Sequence, residues 1–575
     1  MQVVTTAGHG GHGKSTLVRA LTGKDVSVGG NVEEPHAWTR LPSGRRLAFV
    51  DVPGGDRAVP ALLAAAAPAP VVLLAVAADE GWTPRTQEQL DALGALGVRF
   101  GVLAVTRSDV ADPKLALRQA RDRLAGTALR GVEAVAVSAA TGTGTGDLAA
   151  ALDRLAGRLP VPDPDAPVRL WIDRAFTAGR QTVVTGTLAA GTVTVGDELL
   201  LMPAGGRVRV RTIGCAGEPH ESVGGVSRVV LTLREAGRVG AGMALVTPGA
   251  WTHTASIDVR TRFGEASGRL ARRMTLHVGS AAVAVRLRPL GPDTARLTLN
   301  HRLALHLGDT GVLRDPERGS IAGVNVLDVR PPTLVRREAG AARARELASW
   351  PDRPDGAIVL RRHGVLRRSE LAPMGCAPPP DAVALNGEWV ADPAHWESLF
   401  ERLSEETARH AAQNPYAPGL ALETVRLRLG LPARQLVEAL VRPPLRVESG
   451  RVHAPAPAPA PGWATAVERI KTDLAATPFN APTPDRLTAL GLTDDALTAA
   501  ENAGAVIRIP DDDGEIVLLP DAADRALRVL SALPQPFTPA QAADALCTDR
   551  RIAIALLRHL DALGRTERRN TGKTD

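Results

Sequence analysis

Apolar residues run unbroken through Val71–Ala77 and almost so through Phe100–Val105, with shorter apolar runs at Arg46–Asp51 and Glu133–Val137. Between them, Thr86–Leu96 and Lys114–Leu124 carry apolar positions three and four residues apart. Continuous apolar runs alternating with helical periods predict a parallel sheet buried on both faces by helices, extending to about Pro160. From Val168 to about Val335 the period changes. Short alternating strands such as Thr182–Leu188, Glu198–Met202, Arg207–Ile213 and Ala295–Leu299 are broken by glycines, which predicts one or two β-barrels. After about Arg345 helical spacing returns, with β-type tails at Arg446–His453 and Glu515–Leu519. Helix-rich units of roughly 50–60 residues ending in a hairpin predict winged-helix modules.

The expected architecture is therefore multidomain: an α/β phosphate-loop domain, then two or more β-barrels, then α+β winged-helix modules. The corresponding boundaries are 1–160, barrels at 168–255 and 256–345, helical modules at 346–453, a spacer at 454–461 and further modules at 462–575. The spacer repeats Ala-Pro four times, an extended segment with no core of its own. Pro160–Pro167 reads as a second, stiff linker.

Composition narrows the function classes. With 575 residues the chain is too long for one core. One Tyr and seven Phe provide few platforms for stacking single-stranded bases, so binding of that kind is excluded as a main mode. A net charge of +6 permits nucleic-acid contact without requiring it. Cys215, Cys376 and Cys547 are widely separated and match neither a zinc nor a disulfide pattern, which points to a reducing cytoplasm. His220, His253, His277 and His301 also lack metal-ligand spacing. No apolar stretch approaches a membrane span, and the chain enters a strand at once without a signal peptide, so no membrane association is expected.

The sharpest chemical signal is Gly8-His9-Gly10-Gly11-His12-Gly13-Lys14-Ser15, a full match to G-x-x-x-x-G-K-[ST], with Thr16 following. An apolar strand precedes it and a helix follows, as the motif requires. Glycines let backbone N–H groups turn onto phosphates. Lys14 would reach the β- and γ-phosphates, and the Ser15 hydroxyl would sit on Mg²⁺. Asp51-Val52-Pro53-Gly54 ends a strand, where a carboxylate can hold Mg²⁺ through water and the glycine N–H can meet a γ-phosphate. Thr106-Arg107-Ser108-Asp109 ends another, and its last carboxylate can accept the N1 and N2 protons of guanine. Ser138-Ala139-Ala140 ends a third and can cover the base. Strand-end Asp and Ser are common turn residues taken singly; four such segments in this order, each at a strand's carboxyl end, indicate GTP with Mg²⁺.

This order resembles the translational GTPases, and most of the chain resembles one branch, the selenocysteine-specific elongation factors. The resemblance is carried by Leu21-Thr22-Gly23 and Asp79-Glu80-Gly81-Trp82-Thr83-Pro84-Arg85-Thr86 in the first domain. It continues in Arg169–Phe176 and Thr182–Thr187, and ends in Phe537-Thr538 and Ala555–Asp561. It implies binding of selenocysteinyl-tRNA and its delivery to the ribosome at a codon marked by an mRNA hairpin, by a monomer. It also implies a selenocysteine pocket at Asp173 and Arg174, with Arg228 as a looser match; a permanently charged guanidinium suits a selenolate. In the C-terminal module, seven basic residues oppose three acidic ones between Asp549 and Lys573. Arg550 and Arg551 would open a recognition helix, with Arg565, Arg568 and Arg569 in a wing, giving a phosphate footprint for the hairpin.

Four departures from the family pattern stand out. Gly11 stands where the phosphate loop has an acid, Gly55 replaces the histidine that orients the attacking water, and Thr106-Arg107 replaces Asn-Lys. The segment Asp25–His36, where the first switch belongs, is short and contains no threonine. Nucleotide binding is expected and hydrolysis is expected to be slow or absent, with His9 and His12 poor substitutes. No catalytic residue is assigned. The alternative is a non-hydrolysing GTP- and RNA-binding relative that acts as a scaffold or regulator.

Overall fold

All seven residues of Val71–Ala77 are buried, and this strand lies inside the first sheet. In the computed structural model the described residues are 1–23, 37–55, 58–178, 181–234, 237–263, 271–335, 338–413, 419–454, 462–512 and 514–567. The expected first-switch segment, most of the Ala-Pro spacer, and Arg568 and Arg569 lie outside them.

The first domain contains β1 (Gln2–Ala7), α1 (Lys14–Thr22), β2 (Ala37–Arg40), β3 (Arg46–Val50), α2 (Ala58–Ala66), β4 (Val71–Ala77), α3 (Pro84–Leu96), β5 (Phe100–Thr106), α4 (Lys114–Leu124), β6 (Glu133–Ala136) and α5 (Thr145–Arg158). The sheet order is β2-β3-β1-β4-β5-β6, parallel except for the edge strand β2. Leu62, Leu63, Leu90 and Leu93 cover one face from α2 and α3; Leu17, Val18, Leu148 and Leu152 cover the other from α1 and α5. Burial on both faces explains the unbroken apolar strands. The chain leaves β1 on one side for β3 and on the other for β4. That is the switch point at which open α/β sheets bind ligands beyond the strands' carboxyl ends.

The next strands are β7 (Arg169–Ala178), β8 (Gln181–Leu188), β9 (Thr192–Thr194), β10 (Glu198–Met202), β11 (Gly206–Cys215), β12 (Glu218–His220), β13 (Ser222–Gly224), β14 (Ser227–Arg234) and β15 (Ala244–Val246). The order β10-β15-β7-β8-β14-β11 closes on itself through β10–β11 pairing, giving a barrel filled by Leu170, Ile172, Val184, Leu231 and Leu245. A second closed barrel follows in the order β16-β19-β18-β17-β20-β21. Its strands are β16 (Thr252–Phe263), β17 (Arg273–Val278), β18 (Ala281–Pro289), β19 (Thr294–Leu305), β20 (Thr310–Arg314) and β21 (Ile321–Asp328). The proline-rich segment before β7 is tied down: Asp163 and Pro164 carbonyls accept hydrogen bonds from Gly191 N and Thr192 Oγ1.

The barrels are fastened to their neighbours by specific polar contacts and by apolar packing. Arg46 Nη1 donates to Glu218 Oε2 at 3.0 Å, joining β3 to the first barrel. Helix α3 lies against β21, where Gly323 has no side chain to keep its backbone from Ala95. Arg169 forks onto Asp309 (2.5 and 2.8 Å) and lies over Trp251, joining barrel to barrel. Helix α6 (Ala339–Ala348) is anchored on the second barrel by buried Arg343, which donates to Asp258 at 2.8 Å and also pairs with Asp328. Helix α7 (Gly356–His363) contributes Arg362 to the same Asp328.

A second compact unit comprises Thr407–Leu420 and Arg442–Asp575. It holds the hairpin Arg446–Glu448/Arg451–His453 and helices Gly462–Ala476, Pro484–Ala489 and Asp494–Asn502. A second hairpin, Ile507–Asp511/Gly514–Leu518, is followed by helices Ala522–Leu530, Pro539–Leu546 and Arg550–Ala562. Ile470, Leu497, Ile516, Leu530, Leu556 and Leu560 belong to one continuous core. Thr538 caps its helix reciprocally: its hydroxyl accepts from Gln541 N while Gln541 Oε1 accepts from Thr538 N.

Candidate functional site

The loop from Gly8 to Gly13 turns from the end of β1 into α1, with Gly13 in the left-handed region at φ 75°. Gly8 (φ +125°) passes so near Ala75 O that any Cβ would collide with it. Gly54 lies against the loop backbone at Gly10, where a Cβ on Gly54 would come within 2.4 Å of Gly10 Cα. Gly8 is therefore required by close approach as well as by φ, and Gly54 by close approach.

Lys14 is buried and donates to Gly8 O (2.8 Å) and His9 O (2.9 Å), curling back over the loop. Burial pulls its pKa below the ordinary lysine value although the Asp51 charge opposes this, and an incoming anion would further favour the cation. Ser15 Oγ donates to Asp51 Oδ2 at 2.5 Å, and Thr6 Oγ1 donates to Asp51 Oδ1 at 2.7 Å while accepting from Val52 N. Two hard oxygen donors placed side by side suit Mg²⁺. Pro53, Gly54 and Gly55 follow directly; Gly55 has φ +101° and open space where a side chain would stand.

Thr106 Oγ1 donates to His12 O at 2.8 Å, and Arg107 Nη2 donates to Gly11 O at 2.5 Å. Thr-Arg in place of Asn-Lys thus braces the phosphate loop by two carbonyls. Arg107 also pairs with Asp79 (2.7 Å) and Glu80 (3.1 Å). Asp109 is exposed at the end of β5. Ser138 is buried at the end of β6, its hydroxyl accepting from Thr141 N, and Ala139 and Ala140 follow on the same turn. Ser108 N donates to Val137 O, joining the two strand ends.

Gln89 and Thr6 carry no motif and were not expected. Gln89, buried on α3, accepts from Gly8 N at 2.7 Å and donates to Gly8 O at 3.1 Å, clamping the loop's first peptide. Its helical position is indistinguishable in sequence from an ordinary helix residue. The Glu80 contacts were also missed, although the segment Asp79–Thr86 had been marked by resemblance.

In the first barrel, Arg228 is 5% exposed, pairs with Asp173 and donates to Thr187 Oγ1 at 3.0 Å. Asp173 also accepts from Thr185 Oγ1 at 2.5 Å. A register shift between Ile172 and Arg174 marks a bulge at Asp173, while the adjacent Arg174 is exposed. Asp173 and Arg228 are thus brought together and Arg174 is left outward. In the second unit Arg550 and Arg551 open the helix Arg550–Ala562, after Asp549. Arg551 donates to Asp511 and Arg558 to Asp512, both at 2.9 Å, so part of the basic charge is met internally. Arg565 lies in the turn after that helix and pairs with Asp524.

A phosphate-loop domain of this strand order, followed by two closed barrels and a winged-helix region, defines the translational GTPase architecture. Residues 528–573 match the model of the elongation factor SelB winged helix. The chain is 28% identical over 495 residues to a selenocysteine-specific elongation factor of Escherichia coli (strain K12), covering 79% of this chain and 77% of that protein. It is 36% identical over 243 residues to one from Desulfomicrobium baculatum; that match spans 40% of this chain and only 38% of the relative's length. A crystal structure of bacterial selenocysteine-specific elongation factor EF-Sec shares the fold over 98% of both chains, with TM-score 0.67 and 21% identity. The chain is thus similar to selenocysteine-specific elongation factors over most of its length. Among the described residues no helix is long and apolar enough to cross a membrane.

Proposed function

We propose that the chain binds GTP with Mg²⁺ at the carboxyl edge of the first sheet and carries selenocysteinyl-tRNA to the ribosome at a codon marked by an mRNA hairpin. The observation that carries this reading is the convergence of Lys14, Ser15, Asp51 and Gly54 at the sheet's switch point, in a chain similar over most of its length to selenocysteine-specific elongation factors. Gly8 to Thr16 would cradle the phosphates, with Ser15 and Asp51 holding the metal, whose charge offsets that of the phosphates. Asp109 would read guanine, with Ser138 to Ala140 on the other side of the base. Buried Arg228, oriented by Asp173, gives the first barrel a fixed positive charge with which to favour a selenolate, and exposed Arg174 adds a second. Arg550, Arg551 and Arg565, with Arg568 and Arg569 beyond the described residues, would meet RNA phosphates. Simultaneous grip on hairpin and tRNA raises the local concentration of that tRNA at one codon. We take residues 1–160, 168–255, 256–345, 346–453 and 462–575 as the functional modules of a cytoplasmic monomer.

The test is binding of selenocysteinyl-tRNA and seryl-tRNA to the purified chain with GTP, GDP or neither. Preference for selenocysteinyl-tRNA that requires GTP is expected; equal binding of the two tRNAs, or indifference to the nucleotide, would overturn the reading. A second reading, a non-hydrolysing RNA-binding regulator, is favoured by Gly55, since the chain offers no side chain there to place a water. Multiple turnover on ribosomes would dispose of it.

A further inference from the structure

His9 and His12 of the phosphate loop and Glu80 of the segment after β4 converge outside the Ser15–Asp51 pair. His12 Nε2 lies 3.4 Å and His9 Nδ1 3.6 Å from the same oxygen, Glu80 Oε2, and the three donor atoms all lie within 4.8 Å of one another. Both ring nitrogens are shielded from solvent and have no hydrogen-bond partner, and His12 is fully buried. Four ligands on a tetrahedral zinc at about 2.0–2.1 Å stand roughly 3.3 Å apart, close to the two measured separations.

The protonation pattern gives a second, independent argument. His12 Nδ1 faces Ala75 O at 3.3 Å, and a carbonyl oxygen can only accept, so Nδ1 carries the hydrogen. Nε2 then presents a lone pair to a carboxylate, an unfavourable encounter unless a cation lies between them. A histidine whose other nitrogen donates to a backbone carbonyl is the usual outer-shell arrangement of a metal ligand. Glu80 is oriented likewise, its second oxygen accepting from Arg107 at 3.1 Å.

We propose that His9, His12 and Glu80 form a binding site for a divalent transition-metal cation of the zinc class, tying the phosphate loop to the segment that follows β4. Two imidazoles and one carboxylate select zinc, cobalt or nickel over magnesium, which prefers all-oxygen surroundings, and leave one coordination place open. The site shares the phosphate loop with the nucleotide but not its contacting atoms: the ring nitrogens of His9 and His12 would take the metal and the loop backbone the phosphates, so titration without nucleotide separates failure of this site from failure of GTP binding.

The full-length chain, stripped with chelator, is titrated with Zn²⁺ by calorimetry and with Co²⁺ by visible absorption. One equivalent of each is expected to bind, cobalt giving the intense d–d bands of a tetrahedral site, and zinc raising the melting temperature. His9→Ala and Glu80→Gln, both at partly exposed side chains, should each weaken binding by about tenfold or more while circular dichroism is unchanged. His301→Ala, on β19, should bind as the parent does. Absence of a stoichiometric site, or zinc binding unchanged in both His9→Ala and Glu80→Gln, would overturn the proposal.

Discussion

Replacing Gly54 by alanine tests how the Asp51–Gly54 segment meets the phosphate loop. A Cβ at Gly54 would lie 2.4 Å from Gly10 Cα and 3.0 Å from Gly10 N. Both neighbours are backbone, so no side chain can swing away, and ordinary contact begins near 3.4 Å. The two segments must part by about 1 Å, enough to lose a well-aligned hydrogen bond. Asp51, three residues earlier, is held by Ser15 and Thr6, so the displacement falls on Pro53 and Gly54 rather than on the metal side. The N–H lost to the γ-phosphate is a charge-assisted donor worth about 1.5–3 kcal/mol, or roughly tenfold to a hundredfold in affinity. Gly54→Ala should therefore weaken GTP by that factor and GDP by less than about threefold, because GDP has no phosphate at that place. Competitive titration against fluorescent GDP measures both. Equal loss of GTP and GDP, or no loss of either, would refute the argument from backbone approach.

Gly55→His restores a side chain with nothing within 4 Å of its Cβ, although φ +101° costs an L-residue about 1–3 kcal/mol. If the missing water-orienting group limits hydrolysis, single-turnover GTP cleavage on ribosomes should rise by about 10²-fold or more; an unchanged rate would place the defect elsewhere. His277, buried on β17, titrates near 4 because burial and the Arg314 charge oppose its cation. Its unfolded form takes a proton near 6.5, so stability is complete above that pH and declines as pH falls from about 6.5 to 4, by about 3 kcal/mol in all. Urea unfolding at pH 7 and pH 4.5 should show that slope reduced in His277→Gln; an identical slope would remove His277 as its source. Arg550→Ala should lower the salt dependence of hairpin RNA binding by about one unit of log K against log[salt], measured by filter binding, and an unchanged slope would exclude a phosphate contact there.

Elements built from one strong local pattern were legible in the chain. Val71–Ala77 and Lys114–Leu124 were predicted with their observed ends, and Glu198–Met202 likewise. Ends set by partners were less so: the predicted Ala295–Leu299 is part of the longer Thr294–Leu305, because pairing with β16 carries the strand on past the apolar alternation. In the C-terminal module the helix beginning at Arg550 was placed correctly, but Arg565 lies in a turn and is engaged by Asp524. Ion pairs formed across 41 residues have no local signature.

The phosphate loop, the strand-end aspartates and the alternation of strand and helix were determined by sequence alone, because glycine spacing, the placing of Lys and Ser, and hydrophobic period act over a few neighbouring residues. The partnership of Arg228 with Asp173, the clamp of Gln89 on Gly8 and the meeting of His9 and His12 with Glu80 were decided only by tertiary structure. Each joins residues from separate strands, loops or helices, and the distance between such groups is set by sheet order, bulges and packing rather than by spacing along the chain.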